Sequence, residues 1–413
     1  MAVPMFDADQ HYYETDDAFT RYLPKQFLDE NRAVRVVRTP DRPEGRIFFG
    51  EDKVTFFGVN PVDAIGWPGQ LLEYFKQGGG KGDAVTGNVR ADDIPESRHR
   101  DLRLRWMVEH GVVGTLMFPT TAVGVEYQLQ CDVPALNATL TAFNRWIEEE
   151  WGFGSPESPI YSAPLLNLTD IDWAVAELER VIAQGAKLVH LRPGPVGGKR
   201  SPADPAHDGF WARCAEAEIP VDFHLGNSGE SVYYSALWGE TPSAPQHRFS
   251  PFQRVTSFGE RAISDTLLAL VTHNLFGRVP NLTVMSIEHG SEWVGPLLKK
   301  MDRAARMCGP KDWTYGVLTE RPREIFKRHV KVAPFPEDNI LGLIELIGED
   351  AVVAGSDWPH PEGEVVPLDF AARIEGKVPD HTYLKVMHDN VAKVLGLPAL
   401  QTASAVTTDV QPN

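Results

Sequence analysis

The chain has 413 residues, a net charge of −17 with histidine counted as neutral, and the composition of an ordinary soluble globular protein. This negative charge disfavours a nucleic acid or an anionic membrane surface as the main partner. The N-terminus lacks the basic and apolar stretches of a signal peptide, and no apolar run reaches the roughly 18 residues of a membrane span. The three cysteines show no paired spacing. We therefore expect a cytoplasmic protein with free thiols.

The first strand is predicted at residues 4–8. The segment 38–96 follows, with two strand-like pieces around a turn at 50–52, which indicate a hairpin. Its glycine-rich run at 78–82 lacks the serine or threonine that follows the lysine of a phosphate-binding loop, and no strand leads into it, so a flexible lid is the better interpretation. We expect this segment to be an insertion, because it is too short and too rich in glycine to hold its own core.

Beyond residue 97 short apolar strands alternate with amphipathic helices, which is the pattern of a parallel sheet with helical crossovers. With the first strand included, eight strands are predicted, at 4–8, 112–118, 160–168, 187–191, 221–224, 282–287, 329–332 and 351–357. The main helices are predicted at about 97–110, 133–150, 170–185, 203–217, 260–276, 293–306, 337–348 and 380–395.

Eight strands connected by helices favour an α/β fold of the closed (β/α)8 barrel type, also called a TIM barrel, over an open doubly wound sheet. We expect one domain over 1–400, followed by a flexible tail at 401–413. Insertions at about 38–96 and 228–258 leave strand ends on the C-terminal rim, and we expect them to cap a pocket there.

Charged side chains stand at the predicted C-terminal ends of several strands. They are Asp9 and His11 on the first strand, Arg192 on the fourth, His224 on the fifth, His289 on the sixth and Asp357 on the eighth. In a barrel these ends share the rim that carries active sites. Two imidazoles and two carboxylates there suit one divalent cation, Zn²⁺ or Mn²⁺, and the lack of a thiolate favours a site with a position open to water or substrate.

Four pieces of the sequence resemble the amidohydrolase superfamily, in particular the branch of aminocarboxymuconate-semialdehyde decarboxylase and related metal-dependent decarboxylases and hydrolases. They are Phe6-Asp7-Ala8-Asp9-Gln10-His11, Asp222-Phe223-His224, Glu288-His289-Gly290 and Gly355-Ser356-Asp357-Trp358-Pro359-His360, and the ending 385–391 is also similar. They occur in the right order and on the right predicted strands. The resemblance implies a barrel enzyme that forms a homodimer.

The resemblance also implies the roles of individual residues. It implies a single ion, held by Asp9, His11, His224 and Asp357, because the fourth-strand lysine of binuclear relatives has no counterpart. The donor types make Zn²⁺ the first choice, and Mn²⁺ the choice if oxygen ligands dominate. His289 matches a histidine that transfers a proton or polarises the substrate. The family usually has His-x-His where this chain has Asp9-x-His11, so Asp9 alternatively orients an imidazole from outside the metal's ligand shell.

Further candidates for substrate binding come from the rim. Arg192 is a candidate clamp for a substrate carboxylate, with a salt bridge on the rim as the alternative. Glu14 and His360 are near the rim by sequence and are also candidates. The aromatic residues of the two insertions indicate an aromatic or apolar substrate, or alternatively a dimer contact; they are Phe56, Phe57, Trp67, Tyr74, Tyr233, Tyr234 and Trp238.

Three functions remain open at the level of sequence. In the first, the enzyme decarboxylates an aromatic or unsaturated carboxylic acid, and Asp357 or His289 protonates the carbon that loses CO2. In the second, the enzyme hydrolyses an amide, ester or C–C bond with metal-activated water, Asp357 takes the proton of the water and His289 stabilises the oxyanion. In the third, the barrel binds a ligand around a structural metal without catalysis. The resemblance favours decarboxylation.

Overall fold

The computed structural model describes residues 3–54, 65–71, 89–242, 249–257 and 259–400. Its strands are β1 Met5–Tyr12, β2 Val34–Thr39, β3 Arg42–Phe49, β4 Asp52–Lys53, β5 Val112–Pro119, β6 Ile160–Ser162, β7 Leu165–Leu166, β8 Val189–Leu191, β9 Val221–His224, β10 Val284–Ile287 and β11 Val330–Val332. Its α-helices are α1 Lys25–Asp29, α2 Arg100–Glu109, α3 Val125–Leu129, α4 Val133–Glu150, α5 Ile171–Ala183, α6 Asp208–Glu216, α7 Pro251–Thr256, α8 Glu260–Thr272, α9 Leu275–Arg278, α10 Val294–Met307, α11 Pro322–His329, α12 Ile340–Ile347, α13 Asp380–Leu384 and α14 Asn390–Val394. Across these ranges no helix is both long and apolar enough to cross a membrane.

Eight parallel positions close into a (β/α)8 barrel, as the sequence predicts. β5 pairs with β1 on one side and β6 on the other, and β7 to β11 pair consecutively. β6 and β7 share one position, interrupted near Pro164, which has no N–H to donate to a neighbouring strand. The segment 352–357 takes the eighth position, where Val352 forms a bridge to β11 and Trp358, the residue after the segment, forms a bridge to β1. These two bridges complete the ring, although the segment forms no regular strand.

Most predicted elements are found within a few residues of their expected bounds. β1 is longer than the predicted strand at 4–8, so Asp9 and His11 lie inside the strand and not after it. The last predicted helix, at 380–395, is divided into α13 and α14 by the π-helical segment Lys385–Asp389.

The segment 38–96 contains the predicted hairpin, in which β3 pairs with β4 in antiparallel fashion. β2 adds a third strand on the other side of β3 and was not predicted. The glycine-rich run at 78–82 and the tail at 401–413 lie outside the described residues. The lid, the capping of the rim by the two insertions and the domain boundaries therefore stay predictions.

Local signals explain why the helices begin and end where they do. α5 begins after Asp170, whose carboxylate accepts a hydrogen bond from the N–H of Trp173 at 3.2 Å. Two residues beyond its end, Gly185 has a φ of +97°, a conformation that glycine adopts without steric cost. Both ends agree with the sequence prediction. Helices of this kind bury one apolar face against the barrel, whose own interior is filled by side chains such as Leu116, Met285 and Val353.

A β-bulge in β1 decides which side chains point into the barrel. Two residues of β1, Ala8 and Asp9, face the single residue Leu116 of β5. Ala8 packs with Leu116 in the interior. A regular strand would then place Asp9 and His11 on the outer face, but the extra residue resets the alternation. Asp9 and His11 therefore point to the inner side of the rim, while Asp7 points outward.

Candidate metal centre

Four buried side chains from three barrel positions converge on the C-terminal rim. Asp9 and His11 come from β1, His224 ends β9 and Glu288 follows β10. His11 Nε2 lies 3.3 Å from Asp9 Oδ1 and 3.6 Å from Glu288 Oε2. His224 Nε2 lies 3.3 Å from Asp9 Oδ1 and 3.1 Å from Glu288 Oε2. Ligands at roughly 2.1 Å from one ion stand about 3.0 to 3.4 Å apart, so these separations suit a shared cation.

Asp357, at the eighth position, forms a second, overlapping group of possible ligands with His11, Glu288 and His360. Its Oδ1 lies 3.3 Å from His11 Nε2. His360 holds this carboxylate, because its Nδ1–H donates to Asp357 Oδ1 at 2.7 Å while its Nε2 is hydrogen-bonded with Thr120 Oγ1 at 2.9 Å. The His360 ring also stacks on His11, with centroids 3.8 Å apart. Both ring nitrogens of His360 are thus engaged, and its geometry fits the orientation of Asp357 better than the predicted substrate contact.

The hydrogen bonds of the two histidines test whether the cluster fits a metal. His11 Nδ1–H donates to the carbonyl of Pro119 at 3.3 Å, and His224 Nδ1–H donates to the carbonyl of Leu225 at 2.9 Å. In its neutral form each ring would present an Nε2 lone pair to the site between the carboxylates, and within the described part of the chain His11 Nε2 is buried without a hydrogen-bond partner. A metal cation between these groups would satisfy the two imidazoles and the carboxylates together, and imidazoles held by backbone carbonyls are a usual form of histidine ligands.

The electrostatics of the cluster agree with this conclusion. Burial by itself would lower the pKa of His11, but the carboxylates of Asp9 and Glu288 outweigh it and raise this pKa to about 9. Burial, together with the charges of Glu288 and Asp9, raises the pKa of Asp357 well above its usual range. The carboxylates thus compete for positive charge, which a divalent cation would supply to all of them at once.

Glu288 is the donor that the sequence reading missed. Glu288 lies in the family-like motif Glu288-His289-Gly290, but the sequence predicted a role only for its neighbour His289. The backbone at Glu288 has a φ of +59°, in the left-handed region that non-glycine residues rarely adopt. This conformation accompanies a carboxylate directed at His224 and His11. The available signal was a carboxylate immediately after a strand end, and the sequence carries no sign of the unusual backbone.

His289 lies beside the cluster without belonging to it. Its ring is close enough to His224 and Asp9 to be influenced by both charges. Burial, reinforced by His224, lowers the pKa of His289 to about 3, so the ring is neutral. Its Nδ1 lies 3.5 Å from Ser286 Oγ, and among the described residues its buried Nε2 has no hydrogen-bond partner. A catalytic role for His289 stays a prediction.

Two predicted substrate-binding residues already have partners in the protein. Arg192 Nε lies 3.2 Å from Glu126 Oε1, which corresponds to the alternative of a salt bridge on the rim. Glu14 accepts hydrogen bonds from the backbone N–H groups of Thr121 and Ala122, at 2.8 and 2.9 Å, and so fixes the loop after β5. A substrate would have to share Arg192 or displace these contacts of Glu14. Their roles in substrate binding stay predictions.

A second histidine–carboxylate pair lies below the cluster and was not predicted. His190 of β8 has its Nδ1 3.1 Å from Asp222 Oδ2 of β9, and both residues are buried. Each stands two residues before a rim residue that was predicted, Arg192 and His224, so the alternation of the strands was the signal available in the sequence. The pair adds polar side chains to the floor of the centre.

The aromatic residues of the insertions fit a pocket lining poorly. Trp67, Tyr233 and Trp238 have exposed fractions of 52%, 42% and 77%. Tyr234 donates from its hydroxyl to Asp265 Oδ2 at 2.9 Å. The other three, Phe56, Phe57 and Tyr74, lie outside the described residues. Exposed aromatic rings of this kind are closer to the alternative of a contact surface.

The comparison with known proteins agrees with the geometry of the centre. Residues 136–397 match the amidohydrolase family. This chain belongs to that family. As the resemblance of its motifs implied, it is an enzyme of a metal-dependent family of TIM barrels, and this amidohydrolase has a cluster of donors that could hold the metal. No curated protein matches the chain.

Several solved structures are similar to this chain over most of its length. An amidohydrolase from Mycobacterium avium subsp. paratuberculosis K-10 has 37% sequence identity and a TM-score of 0.86, over 96% of this chain and 99% of that one. A 2,6-dihydroxybenzoate decarboxylase from Rhizobium has 17% identity and a TM-score of 0.59, over 81% and 97% of the two chains. A dihydroxybenzoic acid decarboxylase from Polaromonas sp. JS666, with bound manganese and the inhibitor 2-nitroresorcinol, has 17% identity and a TM-score of 0.57, over 80% and 94%. At these identities the two decarboxylases share the fold.

Proposed function

We propose that this protein is a metal-dependent decarboxylase of aromatic or unsaturated carboxylic acids. The observation that carries the proposal is the convergence of five donors, Asp9, His11, His224, Glu288 and Asp357, on the rim of the barrel. An ion held there would act as a Lewis acid on the oxygens of the substrate. The names of several structural neighbours, which are decarboxylases of dihydroxybenzoate and carboxyvanillate, support the class of reaction.

The donor set favours Mn²⁺ over the Zn²⁺ expected from the sequence. A zinc site usually has three or four protein ligands, whereas five donors converge here. Three of the five are carboxylates, which are hard oxygen ligands and suit Mn²⁺. The manganese in the neighbour from Polaromonas supports the same choice. We propose a single ion, because the group that contains Asp9 and His224 and the group that contains Asp357 share His11 and Glu288.

Asp357 is the proposed proton carrier. Its side chain is 14% exposed, against 1% for His11 and His224, 5% for Asp9 and 7% for Glu288, so Asp357 faces the open side of the cluster. In decarboxylation the C–C bond to the carboxylate breaks, its electron pair stays on the remaining carbon, and CO2 leaves. Asp357 delivers the proton that this carbon takes up, while His360 holds the carboxyl group in place.

The remaining polar groups would orient the substrate. The neutral ring of His289 offers a hydrogen bond to a substrate oxygen beside the cluster. Arg192, paired with Glu126, would attract an acidic group only by sharing its guanidinium. A small aromatic acid is the proposed substrate, and the homodimer and the cytoplasmic location stay predictions.

Glu288 is the observation that favours the alternative, a hydrolase. With Asp357 ionised, three carboxylates and two neutral imidazoles around a divalent ion leave a net charge of −1, which opposes the approach of an anionic substrate. A neutral amide or ester would meet no such repulsion. In that reaction Asp357 would take a proton from water, and His289 would stabilise the oxyanion.

The test compares two reactions of the same metal-loaded protein. Purified protein with Mn²⁺ is incubated with a panel of hydroxybenzoates and muconate-like acids, and CO2 release is measured; amides and esters are assayed in parallel for hydrolysis. Decarboxylation that disappears in Asp357→Asn supports the proposal. Hydrolysis without CO2 release establishes the alternative instead. Full activity in protein stripped of metal would contradict both mechanisms.

A further inference from the structure

The seam of the barrel, where β1 meets the segment 352–357, carries metal-centre residues on both sides. Asp9 and His11 lie on one side and Asp357 on the other. We infer that Asp7 is a positioning residue that fixes this seam and thereby the relative positions of those ligands. The inference rests on the proposed function, since it concerns the ion that the centre would hold. Asp7 itself is fully buried and lies on the outer face of β1, away from the cluster.

The carboxylate of Asp7 accepts four hydrogen bonds, two from its own strand and two from Ser356 across the seam. Its Oδ1 accepts from the backbone N–H of Asp9 at 3.1 Å and from that of Ser356 at 2.9 Å. Its Oδ2 accepts from Gln10 Nε2 at 2.8 Å and from Ser356 Oγ at 2.6 Å. Every donor belongs to a proposed ligand or to the residue next to one. A shift of Asp7 is therefore transmitted directly to the ligands on both strands.

The backbone on the far side of the seam is strained, and the contacts of Asp7 help to hold it. Asp357 has a φ of +57°, in the left-handed region that carries a steric cost for residues other than glycine. Its N–H donates to the carbonyl of Asp9 at 2.9 Å, and the preceding residue, Ser356, is fixed on Asp7. The 3.3 Å separation between His11 Nε2 and Asp357 Oδ1 spans this junction.

A buried arginine anchors the other end of the network. Arg103 Nη1 donates to Gln10 Oε1 at 2.9 Å, and its Nη2 donates to the carbonyl of His11 at 2.6 Å. Its guanidinium also lies 4.3 Å from the centre of the Trp358 ring, just beyond the seam. A continuous chain of hydrogen bonds thus runs from Arg103 through Gln10 and Asp7 to the eighth position.

A second clamp on the same segment provides a matched comparison. Asn390 Nδ2 donates to the carbonyls of Val352 and Glu349, both at 2.7 Å, and the side chain is buried like that of Asp7. This clamp acts at the N-terminal end of the segment, away from Asp357. Loss of the hydrogen bonds of either Asp7 or Asn390 should destabilise the fold. Only loss of the Asp7 hydrogen bonds, which lie next to Asp357, should weaken metal binding. Metal sites tolerate ligand displacements of only about 0.5 Å.

The experiment compares Asp7→Asn with Asn390→Ala in metal-stripped full-length protein. Asn keeps the size of Asp7 but replaces one acceptor oxygen with an NH2 group, so two donors lose their partner. We expect Mn²⁺ binding, measured by isothermal titration calorimetry, to weaken about 10- to 100-fold in Asp7→Asn, as it does when groups that orient ligands are removed. The visible spectrum of the Co²⁺-substituted protein should also change. Asn390→Ala should lower the melting temperature but keep the wild-type Mn²⁺ affinity and Co²⁺ spectrum.

A milder variant covers the case in which Asp7→Asn does not fold. Ser356→Ala removes one of the four hydrogen bonds, and we expect a loss of several-fold in Mn²⁺ affinity with a shifted Co²⁺ spectrum. Wild-type affinity and spectrum in a folded seam variant would overturn the inference, and so would an equal loss of affinity in Asn390→Ala. Wild-type protein that binds no divalent metal would overturn the proposed function itself, so the two failures are distinguishable.

Discussion

Replacement of Glu288 by glutamine tests the donor that distinguishes five ligands from four. Gln has nearly the same shape as Glu but offers a neutral amide oxygen and no charge. Glu288 Oε2 lies 3.1 Å from His224 Nε2 and 3.6 Å from His11 Nε2, which are separations between neighbouring ligands of one ion. We therefore expect Glu288→Gln to weaken the binding of Mn²⁺ directly.

The magnitude follows from the position of Glu288 in the cluster. Changes to groups that only orient ligands reduce metal affinity 10- to 100-fold. Loss of a charged ligand should reach at least the upper end of that range, which corresponds to about 2.8 kcal/mol of binding free energy. A weaker effect is expected for Zn²⁺ than for Mn²⁺, because zinc accepts a smaller set of ligands.

The assay is calorimetric titration of Mn²⁺ and Zn²⁺ into metal-stripped protein, with the metal content of purified protein as a second readout. Glu292→Gln is the matched control, because it removes the same charge from an exposed side chain four residues further along the chain. We expect Glu292→Gln to bind both metals as the wild type does. Wild-type Mn²⁺ affinity in Glu288→Gln would refute the five-donor centre and leave the four ligands expected from the sequence.

Three further predictions concern catalysis and stability. His289→Asn should reduce kcat by about 100-fold or more, since general acid–base and polarising groups contribute such factors, while the Mn²⁺ Kd stays unchanged; a loss of metal would instead make His289 a ligand. Mn²⁺ at 100 times its Kd should raise the free energy of unfolding by about 2.7 kcal/mol, measured by chemical denaturation with and without chelator; no shift would contradict metal binding to the folded state. Burial raises the pKa of Glu230 from 4.5 to about 7, so the folded protein keeps this proton while the unfolded chain releases it. Stability should then fall as pH rises from 4.5 to 7, by about 3 kcal/mol relative to Glu230→Gln, which lacks the titrating group; parallel pH profiles of the two proteins would show that Glu230 does not titrate in this way.

The sequence by itself determined the barrel and the order of its strands. Runs of apolar residues ended by turn signals locate strands through local physics, because burial and backbone propensity act within a few residues. The same patterning placed His224 and Asp357 at strand ends, and the rule that parallel strands end on one rim placed both on the same rim. The family followed from the same short pieces around these residues.

Tertiary structure decided what those residues can do. The face that Asp9 and His11 occupy depends on a bulge against β5, and alternation alone gives no sign of that extra residue. Glu288 joins the cluster through a left-handed backbone conformation, and His360 turns out to hold Asp357. Arg192 and Glu14 meet partners that lie distant in the sequence, Glu126 and the loop after β5.

One physical reason explains why the sequence determined the fold while the tertiary structure decided the arrangement of the site. A strand or a helix is specified by neighbours in the chain, whereas a metal centre is specified by distances of a few ångströms between side chains hundreds of residues apart. Asp7 and Ser356 are 349 positions apart and share a 2.6 Å hydrogen bond that closes the barrel beside Asp357. Such a contact exists only when the whole ring of strands has formed, and for that reason the sequence could indicate the ligands but not their arrangement.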